Sequence, residues 1–152
     1  MPKQAAGILM YRRRPGGIEV LLAHPGGPFW AKKDHGAWMI PKGEIDPGED
    51  PLEAAKREFQ EEMGSPVTGT FVPLGTIKQK SGKVVQAWAV EGEFDPDRLR
   101  SNTFQAEWPP RSGKVKEYAE VDRAEWFPVS IARERILPAQ EPLITELVTL
   151  LE

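Results

Sequence analysis

Three glutamates, Glu58, Glu61 and Glu62, have a spacing that could support metal-dependent chemistry. Residues three and four positions apart lie on one side of an α-helix, so a helix through this segment would place three carboxylates in one small patch. Such carboxylates repel one another, and a hard divalent cation such as Mg²⁺, which takes oxygen ligands, would offset the repulsion. The same residues also fit a solvated acidic face beside Lys56 and Arg57, so spacing alone leaves both interpretations open.

The helix that would carry these glutamates is predicted to start after Asp50 and to end at Gly64. Asp50 can cap the first turn, and Pro51 suits a position where the helix does not need a backbone N–H. Gly64 and the Ser-Pro that follows it are typical of a helix end. The apolar residues at helical spacing are Leu52, Ala55, Phe59 and Met63. We expect this stripe to pack on a sheet and the glutamates to point towards solvent.

The residues before the helix favour a specialised site over a solvated face. Gly43, Pro47 and Gly48 predict a tight turn whose main-chain carbonyls can join a metal site. The segment 43–65 resembles the signature of the Nudix hydrolases, and segment 36–43 resembles the usual entry to it. The matching signature residues are Gly43, Glu49, Arg57, Glu58, Phe59, Glu61, Glu62 and Gly64. Ser65 departs from the aliphatic residue usual at the last position, which weakens packing rather than chemistry.

The resemblance implies a reaction and a role for each matching residue. The reaction is hydrolysis of a nucleoside diphosphate linked to another moiety (NDP–X), with Mg²⁺ or sometimes Mn²⁺. The implied metal ligands are Glu58, Glu61, Glu62 and the carbonyl of Gly43. Glu61 is also implied as a catalytic residue, the base that activates water. Glu49 and Arg57 are implied as a supporting ion pair.

Candidates for catalysis and substrate binding also lie outside these positions. Glu120, with Glu117 behind it, lies in a predicted loop and is the second candidate for the general base. Trp30, His35 and Lys42 are candidates for substrate binding, because aromatic and cationic side chains suit a nucleotide or another polyphosphate. Each of these residues also fits an ordinary surface role.

Two further basic or titratable features have both a functional and a structural interpretation. His24 fits acid–base chemistry near neutral pH, and it also fits a surface or packing role, which is commoner for a single histidine. The run Arg12-Arg13-Arg14 can meet phosphate, but we expect a solvated hairpin turn over residues 12–17, which is rich in breakers.

The elements that must position these residues predict a mixed α/β domain. The predicted strands are 4–11, 18–23, 38–41, 71–78, 83–90 and 124–128, and the further helices are 130–136 and 141–151. The segment 91–110 gives no clear pattern and is either a substrate-facing insertion or a loop. The order of strands and helices indicates a layered α/β fold. The resemblance implies the Nudix α/β/α sandwich with a mixed β-sheet.

Composition limits the classes of function. A chain of 152 residues with 39% hydrophobic residues predicts one domain over 1–152. A net charge of −3 gives no general field for nucleic acid or anionic membranes. The absence of cysteine excludes a disulfide framework and thiol catalysis. The opening residues lack a signal-peptide pattern, and no apolar run is long enough for a membrane span, so we expect a cytoplasmic protein.

Three interpretations of function follow. The favoured one is a metal-dependent NDP–X hydrolase acting on a dinucleoside polyphosphate or related nucleotide. Its alternative is a catalytically weak, Nudix-fold nucleotide-binding module, and the third is an interaction protein that uses the apolar face of 141–151. Residues 78–82 lack the markers of the ADP-ribose and dinucleoside polyphosphate subgroups, so the substrate stays open. Nucleic acid is not an expected partner, and RNA 5′ ends are the one exception left open. The protein is expected to be a monomer or a homodimer.

Overall fold

The computed structural model describes residues 3–152. In this part of the chain the strands are β1 (Gln4–Arg14), β2 (Gly17–Pro25), β3 (Lys42–Glu44), β4 (Val72–Lys78), β5 (Val84–Glu91), β6 (Thr103–Glu107), β7 (Val115–Ala119) and β8 (Val121–Pro128). The α-helices are α1 (Pro51–Met63), α2 (Val129–Arg135) and α3 (Glu141–Leu151). Residues 1 and 2 lie outside the described residues. The start of the predicted domain 1–152 and of the opening segment without a signal-peptide pattern therefore falls outside them.

A mixed sheet forms the middle layer, in the order β4-β5-β1-β2-β8, with β3 paired to β1. The central strands β1 and β5 are parallel, from the Gln4 and Val84 pair to the Tyr11 and Glu91 pair. The other pairs in this sheet are antiparallel. Because helices cover both faces, β1 carries buried residues on each side rather than a polar alternation.

The helices lie in two layers on opposite faces of the sheet. The buried residues Phe59 and Met63 of α1 pack with Ile8 and Leu21 on one face. On the other face, the residues that pack with Leu9 and Val20 are Ala132 of α2 and Leu143, Ile144 and Leu147 of α3. The predicted α/β/α architecture with a mixed sheet is therefore confirmed. The terminal helix covers the sheet, which removes the basis for treating its apolar face as a free interaction surface.

Helix α1 has the predicted limits. The carboxylate of Asp50 accepts a hydrogen bond of 3.2 Å from the backbone N–H of Glu53, which caps the first turn. Gly64 ends the helix with φ of 84°, and its N–H donates to the carbonyl of Gln60 at 2.8 Å. These local signals fix where the glutamates sit along the helix.

The expected hairpin between the first two strands is confirmed, but its turn is shorter than the predicted 12–17, because β1 continues through the arginine run to Arg14. Arg12 pairs with Glu19 across the hairpin, and its Nε donates to the Glu19 carboxylate at 2.8 Å. The Arg14 guanidinium donates to Glu93 at 3.1 Å. Opposite charges on neighbouring strands thus stabilise an extended backbone that the local breakers did not predict.

Two further boundaries differ from expectation. The predicted strand 18–23 continues to Pro25, so His24 lies in β2, where it is fully buried. In the predicted strand 38–41, Trp38 and Met39 make only isolated bridges, and the strand β3 begins at Lys42.

The segment 91–110 contains a strand rather than only irregular structure. β6 pairs antiparallel with β7, with Phe104 opposite Tyr118, and this two-stranded sheet lies outside the main sheet. A short 3₁₀ turn, Pro96–Arg98, precedes it. No helix in the described residues is long and apolar enough to cross a membrane.

Candidate functional site

A cavity of about 540 Å³ brings the sequence-predicted residues together from distant parts of the chain. From the motif it includes Gly43, Glu58, Glu61 and Glu62. From outside the motif it includes Trp30, Lys42 and Glu120. His35 is exposed and is not among the residues that line this cavity. The β2 end, β3, α1, β6 and the start of β8 all contribute to its walls.

Glu62 and Lys42 both line this cavity. Burial raises the pKa of the Glu62 carboxyl to about 8, and burial lowers the pKa of the Lys42 ammonium. The backbone N–H of Lys42 donates to Oε1 of Glu62 at 3.3 Å, which links β3 to the last turn of α1. Burial makes each of these groups costly to ionise, and the opposite charge of the other residue offsets part of that cost.

Glu58 lies against the backbone of β3 at Gly43. A Cβ atom at position 43 would overlap the Glu58 carboxyl group, so glycine is what allows α1 to approach this strand so closely. Burial raises the pKa of Glu58 as well. The expectation that the glutamates point towards solvent is therefore wrong for Glu58 and Glu62, because β3 covers the helix face that carries them.

Arg57 joins the loop before α1 to the carboxylates on the helix. Its guanidinium donates to both oxygens of Glu49, at 2.8 and 2.9 Å, which lowers the pKa of Glu49 to about 2. The same contact raises the pKa of Arg57 itself. Its Nη1 also donates to Glu58 at 2.8 Å and to Glu61 at 3.2 Å. Arg57 thus fixes two cavity carboxylates relative to the loop.

Glu120 is held beside α1 by a short chain of backbone hydrogen bonds. The N–H of Asn102 donates to the carbonyl of Glu61, and the N–H of Glu120 donates to the carbonyl of Asn102, both at 2.8 Å. The N–H of Gly26 donates to the Glu120 carbonyl at 2.9 Å. A Cβ at Gly26 would overlap the carbonyl of Ala119, so this approach also depends on a glycine.

The two other candidates for acid–base chemistry lie elsewhere. His24 has Nδ1 at 2.7 Å from the Asp122 carboxylate and Nε2 at 2.6 Å from the carbonyl of Lys33. Both nitrogens of this buried ring therefore have hydrogen-bond partners, which supports a packing role. Glu117 is exposed on β7 and accepts a hydrogen bond from the hydroxyl of Thr103.

The donor set fits a divalent cation that prefers oxygen. In residues 3–152, no three His, Cys, Asp or Glu side chains converge into a closed metal-binding cluster. Mg²⁺ does not need such a cluster, because it commonly binds one or two protein carboxylates and takes water and phosphate oxygens as its other ligands. Glu58, Glu62 and Gly43 line the same cavity, and their carboxylates and backbone would supply that kind of open site. Their raised pKa values mark buried carboxylates that a bound cation would stabilise in the ionised form.

Several cavity residues were not identified from the sequence. They are Gly26, Lys83, Asn102, Phe104 and Trp108. The alternation of Phe104, Ala106 and Trp108 was a usable signal for a strand with one face on a cavity. It was hidden by the turn residues on both sides of that short segment.

The fold of known structures matches this architecture. The crystal structure of a Caenorhabditis elegans Ap4A hydrolase binary complex superimposes with a TM-score of 0.68 over 97% of each chain, at 24% sequence identity. Residues 1–147 match the family model of the NUDIX domain, and the chain therefore belongs to the NUDIX domain family. The resemblance seen in residues 43–65 is confirmed.

The proteins with sequences similar to this chain are named for different activities. The chain is 32% identical over 126 residues to the RNA pyrophosphohydrolase of Brucella anthropi, covering 73% of this chain and 67% of that protein. It is 45% identical over 62 residues to the asymmetrical bis(5′-nucleosyl)-tetraphosphatase of C. elegans, covering 41% of each. It is 30% identical over 131 residues, or 86% of this chain, to an octanoyltransferase of Myxococcus xanthus, of which it spans only 29%.

Proposed function

We propose that this protein is a divalent-metal-dependent hydrolase of phosphoanhydride bonds in NDP–X compounds. The observation that carries the proposal is that one cavity is lined by Glu58, Glu61, Glu62 and Glu120 together with Lys42. The relatives named as an RNA pyrophosphohydrolase and a bis(5′-nucleosyl)-tetraphosphatase support the same class of reaction.

In this proposal Glu58, Glu62 and the carbonyl of Gly43 hold Mg²⁺, or Mn²⁺ in its place, with Glu61 as a further ligand. When bound, the cation supplies neutralisation of phosphate charge and makes a nearby water more acidic. Lys42 adds a positive charge beside the same carboxylates, where it can contact a phosphate oxygen of the substrate. Glu49 and Arg57 support the site by fixing the orientation of Glu58 and Glu61.

A carboxylate must accept the proton of the attacking water. Glu61 is the first candidate for this base, and Glu120 is the second, because its backbone is tied to the end of α1 through Asn102. The water oxygen forms a bond to phosphorus while the bridging P–O bond breaks. The leaving phosphate departs with the electrons of that bond, and the proton stays on the glutamate.

The substrate class proposed is a dinucleoside polyphosphate or a related nucleotide, with the 5′ end of RNA as a further possibility. Trp30 and Lys42 line the cavity and suit a base and a phosphate respectively. His35 remains a prediction for substrate binding without a place in this cavity. The cytoplasmic location, the single-domain organisation and the choice between monomer and homodimer also remain predictions.

A panel of dinucleoside polyphosphates, nucleotide sugars, nucleoside triphosphates and 5′-triphosphorylated RNA tests the proposal. Each compound is incubated with Mg²⁺, and the products are identified by mass. We expect release of a nucleotide or phosphate product, which EDTA abolishes. Binding of nucleotides without turnover would favour the alternative, a catalytically weak binding module. Turnover that persists in EDTA would contradict the metal-dependent assignment.

A further inference from the structure

His24 is a buried titratable residue that has no part in the proposed reaction. Its ring is fully buried in β2, directly before the cavity-lining residues Pro25 and Gly26. Nδ1 lies 2.7 Å from a carboxylate oxygen of Asp122 in β8, and Nε2 lies 2.6 Å from the carbonyl oxygen of Lys33. The ring therefore connects two segments that are far apart in the sequence.

Both partners of the His24 ring are hydrogen-bond acceptors. A backbone carbonyl has no proton to donate, and water stabilises the ionised, accepting form of the Asp122 side chain, which is 35% exposed. A neutral imidazole carries a proton on one nitrogen only, so one of the two contacts would set a nitrogen lone pair against an oxygen lone pair. An imidazolium donates at both nitrogens. The two short contacts are therefore those of the charged ring.

A buried imidazolium is costly unless it is paired. The Asp122 carboxylate supplies the opposite charge, and the Lys33 carbonyl accepts the second proton, so both donors of the ring are satisfied. The guanidinium of Arg123 competes for this charge, because its Nε lies 3.9 Å from the same Asp122 oxygen.

The other charged groups near His24 are already paired with one another. Trp38 packs edge-on against the His24 ring, with centroids 5.0 Å apart, and the guanidinium of Arg123 lies 5.2 Å from the Trp38 ring. The carboxylate of Asp34 accepts a hydrogen bond from Trp38 Nε1 at 2.7 Å and pairs with Arg135 of α2 at 2.8 Å. Among these groups, Asp122 is therefore the acid that balances the charge of His24.

The contact between His24 and Lys33 closes a loop that forms part of the cavity wall. Residues 25–30, which lie between these two ends, all line the cavity. Asp122, the other partner of the ring, follows Glu120 by two residues at the start of β8. The N–H of Gly26 donates to the carbonyl of Glu120 at 2.9 Å. The His24 ring thus holds the loop against the segment that carries the second candidate for the general base.

We propose that His24 is a positioning residue that is held as an imidazolium and fixes the cavity loop 25–33 to β8 beside Glu120. After loss of one ring proton, the other stays on the nitrogen that faces Asp122, because a charged acceptor binds a donor more strongly than a neutral one. The carbonyl of Lys33 then faces a lone pair, and the loop loses this contact as pH rises. Only the effect on turnover rests on the proposed function.

NMR of the ring nitrogens tests the protonation state directly. The chain has one other histidine, the exposed His35, so His35→Gln leaves His24 as the single imidazole. The full chain of this variant is labelled with ¹⁵N and titrated from neutral to alkaline pH. At neutral pH we expect similar ¹⁵N shifts for the two ring nitrogens, as two protonated nitrogens give. The amide signals of Gly26 and Lys33 are expected to change together with the ring.

Two results of this titration would overturn the proposal. One is a pair of widely separated ring shifts at neutral pH, which marks one protonated and one unprotonated nitrogen. The other is a ring transition that leaves both the Gly26 and the Lys33 amide signals unchanged, because the ring would then not hold the loop.

Two variants with opposite expected effects separate ion pairing from a general loss of packing. Asp122→Asn keeps the shape of the side chain and removes its charge, so the ring is expected to lose its second proton at a pH lower by about one unit or more. Arg123→Gln removes the competing cation, so the transition is expected at a higher pH than in the parent. A transition at the parent pH in Asp122→Asn, or at a lower pH in both variants, would contradict the proposal.

The pH dependence of kcat/KM on a hydrolysed nucleotide supplies a readout of function. We expect the decline at alkaline pH to begin at a lower pH in Asp122→Asn than in the parent, as the ring transition does. A decline at the same pH in both proteins would overturn the positioning role. Absence of hydrolysis together with the expected NMR transitions would overturn the proposed function alone and support the place of His24.

Discussion

Gly43 controls how closely the motif helix approaches β3, because any side chain there would overlap the carboxyl of Glu58. Gly43→Ala is therefore expected to displace Glu58 and to lower turnover by orders of magnitude, with only a small change in far-UV circular dichroism. Gly16→Ala is the matched control, because a Cβ at position 16 meets open space. Parent-like turnover in Gly43→Ala would show that this approach does not matter for the site.

Glu62 predicts an unusual dependence of stability on pH. Burial raises the pKa of its carboxyl from 4.5 to about 8, so between these values the folded protein keeps a proton that the unfolded chain has released. Because the folded protein then binds more protons than the unfolded chain at this group, the contribution of Glu62 to the free energy of unfolding of the metal-free protein falls as pH rises through this window. Glu62→Gln removes this titration and is expected to show a shallower decline.

The comparison is made by denaturant unfolding in EDTA, in the upper half of that pH range where other carboxylates are already ionised. The difference between parent and variant isolates Glu62 from the two histidines. Parallel stability curves for the two proteins would mean that Glu62 ionises at its ordinary pKa.

At the scale of elements, Arg57 connects three parts of the site. It contacts Glu49 in the loop, the carbonyl of Glu44 in β3 and two carboxylates on α1. Arg57→Ala is expected to lower the melting temperature by roughly 2–8 °C, because several hydrogen bonds between charged groups are lost together. Activity is expected to fall with it.

Arg57→Lys serves as the control for charge. Lysine keeps the positive charge but cannot make the two-pronged contact with Glu49, so most of the loss in melting temperature is expected to remain. Full recovery of melting temperature by lysine would indicate that charge alone, and not guanidinium geometry, stabilises these elements.

Helix α3 packs its apolar side chains on one face of the sheet, which predicts a contribution to stability. Leu147 is fully buried, so Leu147→Ala is expected to cost about 2–5 kcal/mol in the free energy of unfolding. Leu150, on the same helix and 43% exposed, is the control and is expected to cost far less on replacement by alanine. Chemical denaturation of both variants measures the difference. Equal effects would mean that the helix does not pack as described.

The elements that the sequence predicted well are those with local signals. The limits of α1 follow from Asp50 and Gly64, and its buried face follows from the spacing of Phe59 and Met63. The extension of β1 was missed because it depends on Glu19 and Glu93, which meet the arginines only in the folded chain. Strand β6 was also not predicted, because its alternating pattern is short and turn-forming residues lie on both sides of it.

At the scale of the whole molecule, the site joins residues that are remote in sequence. The motif glutamates were identifiable because one helix carries them, but the burial of Glu62 depends on β3 packing against that helix. The place of Glu120 depends on backbone contacts with Asn102 and Gly26. Phe104 and Trp108, which also line the cavity, were missed because their place there depends on the pairing of β6 with β7.

Direct measurement of Mn²⁺ binding tests the central claim that the motif glutamates hold a divalent cation. Electron paramagnetic resonance titrations compare the parent, the double variant Glu58→Gln and Glu62→Gln, and Glu53→Gln, an exposed glutamate on the same helix. The parent and Glu53→Gln are predicted to bind Mn²⁺ alike, and the double variant is predicted to bind it at least about tenfold more weakly. Equal binding by all three proteins, or none by the parent, would contradict the account.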